Sequence, residues 1–381
     1  MTESVLFDEL NGSDGHIIGV ITLNKPRQLH ALSADMFPLL QCQLQAWQTD
    51  TRVACVLLQS TGDKAFCAGG DVKSLQQLLV KTSGDTAKAA LVRDYFVAEY
   101  QVDHLLHCFP KPIIVWGDGI IMGGGLGLFM GASHRVVTET ARIAMPEVTI
   151  GLFPDVGATW FLNRLPQPGV GLFLGLTGAS INAKDAEYLK LTASLIPATR
   201  LPQLLTQLLA LHWSEHVDEH SVQVSRVLAG LYDDQTFASA NLPAHQALFT
   251  NLGQQSELAA VIDVIQHCDT IHHCRTMDEW LRRSTQKLLQ GSPISAHIVY
   301  RQITQYTDLT MADCFRLELD LAVNVCLQGD LVEGVRALLV DKDSQPNWRY
   351  QQFAEVPSVF VDSLFNSPWQ GDKHPLAFLG E

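Results

Sequence analysis

Residues 113–130 read IIVWGDGIIMGGGLGLFM, and three patterns follow one another in this stretch. Ile113 to Trp116 is an apolar, β-branched run, the mark of a strand buried on both faces. Asp118 to Gly127 (DGIIMGGGLG) is a glycine-rich turn, and a short helix is expected from about Gly124 to Met130. A turn that follows a strand and opens a helix is where unpaired N–H groups and the positive end of the helix dipole converge. Asp118 is the single charged residue between Lys111 and His134, so a membrane span has to be considered. Pro112 and the seven glycines from Gly117 to Gly131 argue instead for a buried strand, a tight loop and a buried helix start. A dinucleotide-binding turn fails on spacing. Gly117 and Gly119 would need a third glycine where Met122 stands, and Gly123 and Gly125 would need one where Leu128 stands.

Working outward, strands are expected on both sides. HIIGVITL (His16 to Leu23) and Val53 to Leu58 read as strands upstream, and Arg135 to Thr138 and Arg142 to Met145 downstream. Ser33 offers a cap for a helix in which Met36, Leu39, Leu40, Leu44 and Trp47 recur at helical spacing, with Pro38 tolerated near its start. A second helix is expected over 87–108, ended by Pro110, and Pro154, Pro166 and Pro168 punctuate a run of short helices. This ββα-like alternation belongs to the α/β class. After about 200 the period becomes helical, as in LPQLLTQLLALHW, VIDVIQHC, DEWLRRSTQKLLQ and DCFRLELDLAVNVCLQ. The expected organisation is therefore an α/β core over 1–200 and a mainly helical region over 201–381.

The 381 residues carry 26 Lys+Arg against 40 Asp+Glu, a net charge of −14, with 17% charged and 47% hydrophobic residues. A chain this apolar buries enough surface to offset its ordering entropy, which excludes disorder. The acidic balance argues against DNA or RNA, whose binding needs clustered cations, but leaves room for a small anion held by a local basic patch. MTESVLFDEL lacks the basic and apolar regions of a signal peptide, and its acids argue against a transit peptide. Eight scattered cysteines without a C-x-x-C pair suggest reduced thiols and a cytoplasmic protein.

Three further segments bear on chemistry. KAFCAGGD (Lys64 to Asp71) is a second glycine turn, either a plain tight turn or a place where backbone amides meet a ligand. Two such turns, each after a strand, could give two N–H groups to one oxygen, the requirement of an oxyanion hole. AMPEVTIGLFPDVGATWFL (144–162) sets Glu147 among Met145, Pro146 and Val148, with Asp155 beside Pro154 and Gly157. Carboxylates in apolar company are desolvated and become candidate bases or nucleophiles, the alternative being a pair of solvated loops. His267, Cys268, His272, His273 and Cys274 suggest zinc, but no second cluster accompanies them and no metal is expected. G-x-S-x-G and P-loop patterns are absent.

Taken together, ITLNKPRQLHAL, KAFCAGGDV, DGIIMGGGLGL and AMPEVTIGLFPDVGATWFL resemble the crotonase (enoyl-CoA hydratase/isomerase) superfamily. The combination of FCAGGD, MGGGLGL and MPEVTIGLFPDVG, with the tail EGVRALLVDKDSQPNW (Glu333 to Trp348), is more similar to the 3-hydroxyisobutyryl-CoA hydrolases than to the hydratases. The resemblance implies a crotonase-like spiral of ββα turns that binds acyl-CoA, with CoA part of the substrate and no separate cofactor. It implies an oxyanion hole from the N–H groups of Gly70 and Gly124, a catalytic Glu147, and Asp155 beside it. Glu99, in VAEYQ, matches a substrate-contacting acid, and Lys25, Arg27, Gln28 and Ala31 match the segment that holds CoA. Lys64 and Lys73 are further local cations. The helices after 201 would either pack back on the core or join copies into a homo-oligomer.

Departures from the family pattern bear on the reaction. Hydratases use a second glutamate at the position occupied here by Gly127, so hydration of a double bond is expected to be severely impaired. Thioester cleavage needs one carboxylate and a stabilised oxyanion. The implied activity is hydrolysis of a short branched 3-hydroxyacyl-CoA, 3-hydroxyisobutyryl-CoA of valine breakdown above others. A hydratase or isomerase and a non-catalytic acyl-CoA-binding protein are the alternatives. His30 replaces the usual Asn, and Ala158 and Thr159 replace glycines after PDVG.

Overall fold

The computed structural model describes residues 3–268, 278–370 and 373–380. Strands β1 (Val5–Asn11), β2 (Ile17–Leu23), β3 (Val53–Ser60), β4 (Ala65–Cys67), β5 (Ile113–Gly117), β6 (Ile120–Met122), β7 (His134–Val137), β8 (Arg142–Ala144) and β9 (Ser194–Leu195) form two sheets. One has the order β1-β2-β3-β5-β7-β9 and the other β4-β6-β8. β1 pairs antiparallel with β2, whereas β2, β3, β5, β7 and β9 follow one another in parallel. In chain order each strand of the large sheet from β3 to β7 is followed by a strand of the small one. That repetition is the spiral of ββα turns. β1 was not expected, because VLFDELN alternates poorly; it gains its place by pairing with β2 along its whole length.

The chain divides into two compact units, each made of three segments. The first is Met1–Gly70, Gln101–Ile143 and Ile181–Ala240; the second is Asp71–Tyr100, Ala144–Ser180 and Asn241–Glu381. These units are drawn by compactness and do not follow the boundary expected near 200. The helices Leu201–Ala210 and Val217–Leu231 present Leu204, Leu208, Val224, Val227, Leu228 and Leu231 to Ile18, Ala54, Leu57, Ile114 and Val136. An amphipathic helix buries its stripe against the nearest unpaired apolar face, and here that face belongs to the sheet. The second unit is mainly helical among the described residues. Its aromatic centre is Phe173, whose ring lies 5.3 Å from Phe249 and 5.5 Å from Trp280.

No helix among the described residues is long and apolar enough to cross a membrane. The apolar stretch 113–130 is β5, β6 and the start of the helix Gly124–Gly131. Of the histidine and cysteine cluster, His272, His273 and Cys274 lie outside the described residues. No group of His, Cys, Asp or Glu among the described residues is placed to hold a metal.

Candidate active site

In the first unit, three backbone segments that the sequence singled out separately lie together. Pro26–Gln28 is a short 3-10 turn, after which Leu29 and His30 take left-handed conformations (φ 52° and 57°). Asn and His are among the residues that tolerate this region best, which accounts for His30 at the family's Asn position. The buried His30 ring accepts from the Lys25 N–H at Nδ1 (3.1 Å), and its Nε2 donates to the Thr61 carbonyl (2.8 Å). Burial lowers its pKa, which keeps Nδ1 free of a proton and able to accept.

The same segment then lies along the first glycine turn. Ala68 N–H donates to Leu29 O and Leu32 N–H to Gly69 O, both at 2.9 Å, and the Cys67 thiol reaches His30 O. Lys25 and Ala31 are half-buried on it, while Arg27 and Gln28 are exposed. The second glycine turn packs directly on the first. A Cβ on Gly69, which has φ +111°, would stand 3.3 Å from Met122 O and 3.7 Å from Gly124 N; one on Gly125 would stand 2.3 Å from Cys67 O. Only glycines permit this approach. Gly124 is the first residue of its helix, so its N–H has no partner within that helix. Gly127 lies inside the same helix and brings no side chain.

In the second unit the acidic residues gather. Glu147 opens the 3-10 helix Glu147–Ile150 behind Pro146 and is buried, and its Oε2 makes no hydrogen bond. Burial, and then the charge of Asp155, push its pKa well above the usual carboxylate range. Asp155 is also buried, and desolvation raises it; the Tyr100 hydroxyl, which donates to Oδ2 at 2.8 Å, opposes that rise. Val156 and Gly157 follow in left-handed conformations (φ 53° and 87°), a strained choice for a β-branched residue.

The strained turn is held by residues that sequence reasoning missed. Glu318, in the middle of the helix Met311–Gln328, accepts the Gly157 N–H at 2.7 Å and the Thr159 N–H at 2.9 Å. Gln302 donates to Pro154 O (2.9 Å) and Thr159 Oγ1 (2.8 Å), so the threonine in place of the family's glycine is a working contact. Burial, then Asp155, raise Glu318 to about 8. Glu99 is buried in the same unit, and its charge acts on both Tyr95 and Tyr100. Glu318 stands in FRLELDLAVNV, and the test of a carboxylate in apolar company that picked out Glu147 would have picked it out as well.

None of the ion pairs among the described residues involves Glu147, Asp155 or Glu318. Acids that share a dry volume without a cation also share protons, so at neutral pH part of the group stays neutral and can donate while another member accepts. That is the raw material of acid and base chemistry.

A spiral of ββα turns with two packed glycine turns and a buried set of carboxylates defines the crotonase class of proteins. The chain belongs to the enoyl-CoA hydratase/isomerase family, which it matches over residues 18–365. It is 32% identical over 359 residues to a protein named 3-hydroxyisobutyryl-CoA hydrolase, mitochondrial, from Xenopus tropicalis, covering 93% of this chain and 88% of that one. The protein of the same name from Gallus gallus is 34% identical over 360 residues, with 91% and 86% covered. Among solved structures, a carnitinyl-CoA dehydratase from Mycobacterium thermoresistibile is 28% identical with a TM-score of 0.82, both chains covered in full. An enoyl-CoA hydratase from Rhodobacter sphaeroides 2.4.1 is 29% identical with a TM-score of 0.80, covering 96% of this chain and 98% of that one.

Proposed function

We propose that this chain hydrolyses the thioester of a short branched 3-hydroxyacyl-CoA, 3-hydroxyisobutyryl-CoA in valine breakdown above others, to the free acid and CoA. One observation carries the reading. Glu147 is buried with an unpartnered oxygen beside the charge of Asp155, while Gly127 removes the second glutamate that hydration would need. The curated relatives with this activity in their names support the same reading.

In this mechanism the thioester carbonyl oxygen accepts from the N–H groups of Gly70 and Gly124, which stabilise the charge that grows there. Glu147 adds to the carbonyl carbon, or takes a proton from a water that does so; both routes need an unpaired carboxylate oxygen. The C–S bond breaks, CoA leaves as the thiolate and takes up a proton, and water supplies the acid's second oxygen. Asp155 and Glu99 orient the 3-hydroxyl or the hydrolytic water. Lys25, Arg27, Gln28 and Ala31 hold the CoA moiety, with Lys64 and Lys73 as further cations. The reaction as proposed requires no metal or redox cofactor, since an acyl group passes to water with no change of oxidation state.

A cytoplasmic location fits thiols that stay reduced, among them Cys55, Cys67, Cys268, Cys314 and Cys326, which are buried. The reading is tested by incubating the protein with 3-hydroxyisobutyryl-CoA and with crotonyl-CoA, following thiol release and loss of the enoyl chromophore. Thiol release from the hydroxy ester alone supports it. Enoyl loss alone points to a hydratase, and neither signal points to a binding protein.

A further inference from the structure

A cavity in the first unit lies away from the glycine turns. It has a volume of about 310 Å³ and is lined by Ser133 to Arg135 from the start of β7, by Thr192 to Ser194 leading into β9, and by Ser225, Leu228 and Ala229 of the helix Val217–Leu231. β7 begins beside Ile114, at the end of β5 opposite to the one that runs into the glycine turn. The cavity therefore sits at the other end of the same sheet.

Arg135 is the residue that requires an explanation. Its guanidinium is held by two backbone carbonyls, Leu191 O from Nε and Ala132 O from Nη1 at 2.9 Å. It belongs to none of the ion pairs among the described residues, and burial disfavours its charge with no acid to offset the effect. In a chain with a net charge of −14, a largely desolvated cation without a counter-ion is costly unless something else supplies one. His134 and His107 supply no counter-charge: burial, and then the charge of Arg135 among others, hold both below the usual imidazole range and neutral.

The rest of the lining is hydroxyl-rich. Ser225 Oγ lies 3.0 Å from His134 Nε2, and Thr192 Oγ1 is fixed against Arg135 O. Arg135 lines the cavity, and with one N–H of Nε and one of Nη1 given to carbonyls, its other guanidinium N–H groups are left as donors for the oxygens of an anion.

We propose that this cavity is a phosphate-binding site separate from the acyl-CoA site, in which Arg135 pairs with the anion and Ser225 and Ser194 donate to it. The cavity is larger than a free phosphate fills, so the group it takes is inorganic phosphate or the phosphate of a small monoester. Occupancy supplies the missing counter-ion and ties the ends of β7 and β9 to the helix Val217–Leu231.

The test uses the full chain in low-salt buffer at neutral pH. Titration calorimetry with inorganic phosphate, and in parallel with glycerol 3-phosphate, is expected to show one site per chain, and either ligand raises the thermal midpoint relative to chloride of equal ionic strength. Binding of both ligands identifies the phosphate group itself as the determinant; binding of the ester alone identifies a monoester site. Arg135→Met abolishes the titration. Because that variant could fold poorly, Ser225→Asp is the second arm: it places a carboxylate opposite Arg135, and is expected to keep thioester hydrolysis and the phosphate-free midpoint while losing phosphate binding. The proposal is overturned if wild type binds neither ligand, or if Ser225→Asp binds phosphate as tightly as wild type.

Discussion

The Tyr100 hydroxyl donates a 2.8 Å hydrogen bond to Asp155 Oδ2, with both groups buried. Tyr100 belongs to the long helix Asp85–His107 and Asp155 to a loop, so the bond fixes the orientation of a carboxylate that would otherwise hang from a strained turn. It is also the main influence that keeps the Asp155 pKa from rising further.

Tyr100→Phe therefore has an expected direction. Losing a donor to the ionised form raises the Asp155 pKa, so the acid limb of the pH–kcat profile moves to higher pH. At pH 7 the loss in kcat should be about tenfold, the equivalent of one charge-assisted hydrogen bond. A profile that keeps its acid limb while kcat falls would assign Tyr100 to packing against Phe315 instead.

Glu147→Gln removes the unpaired carboxylate oxygen and keeps the volume. Thiol release should fall by about 10³-fold or more, while the affinity for an acyl-CoA ester measured by calorimetry stays within a few-fold. A fully active variant would remove Glu147 from the chemistry.

Glu318→Ala orphans two buried N–H groups, those of Gly157 and Thr159. The expected cost is about 2–4 kcal/mol in urea unfolding. Glu318→Gln keeps one acceptor and should recover at least half of that. Equal stability of the two variants would mean that the turn is held by Gln302 alone.

Stability should fall as pH rises. Glu318 goes from 4.5 when unfolded to about 8 when folded, and Glu147 and Asp155 are raised as well. Between those limits the folded chain holds more protons than the unfolded one, so the free energy of unfolding decreases with pH. The contribution is fully present below the unfolded pKa and is lost progressively up to the folded one. Urea midpoints measured from pH 5 to 8.5 should decline, with a shallower slope in Glu318→Gln. Burial lowers His30, His107, His134 and His297, which act in the opposite sense at the acid end of this window, so the diagnostic is the difference between wild type and Glu318→Gln: a difference that does not shrink as pH rises contradicts a raised Glu318.

Much of the candidate site was legible because its signals are local. The glycine turns at 68–70 and 123–125 announce close backbone approach, and Met145, Pro146 and Val148 announce that Glu147 is desolvated. The α/β class followed from strands that precede glycine turns and helices, and the spiral from the resemblance of the motifs to the crotonase superfamily. The strand Val5–Asn11 was missed because its pattern says little until β2 is beside it. The boundary near 200 rests on a change of period, which marks a change of element type; the helices of 201–231 use their apolar faces on the sheet.

The sequence by itself determined the fold class, the two glycine turns and the acids Glu147 and Asp155, since periodicity, glycine content and apolar company are all properties of neighbouring residues. Only the tertiary structure decided that Glu318 holds the Asp155 turn from 161 residues away from Gly157, that Tyr100 orients Asp155 from a separate helix, and that Arg135 faces a cavity without an acid. Those relationships arise where distant segments meet, and hydrogen-bond partners and missing counter-ions exist only once burial has removed water from the groups concerned.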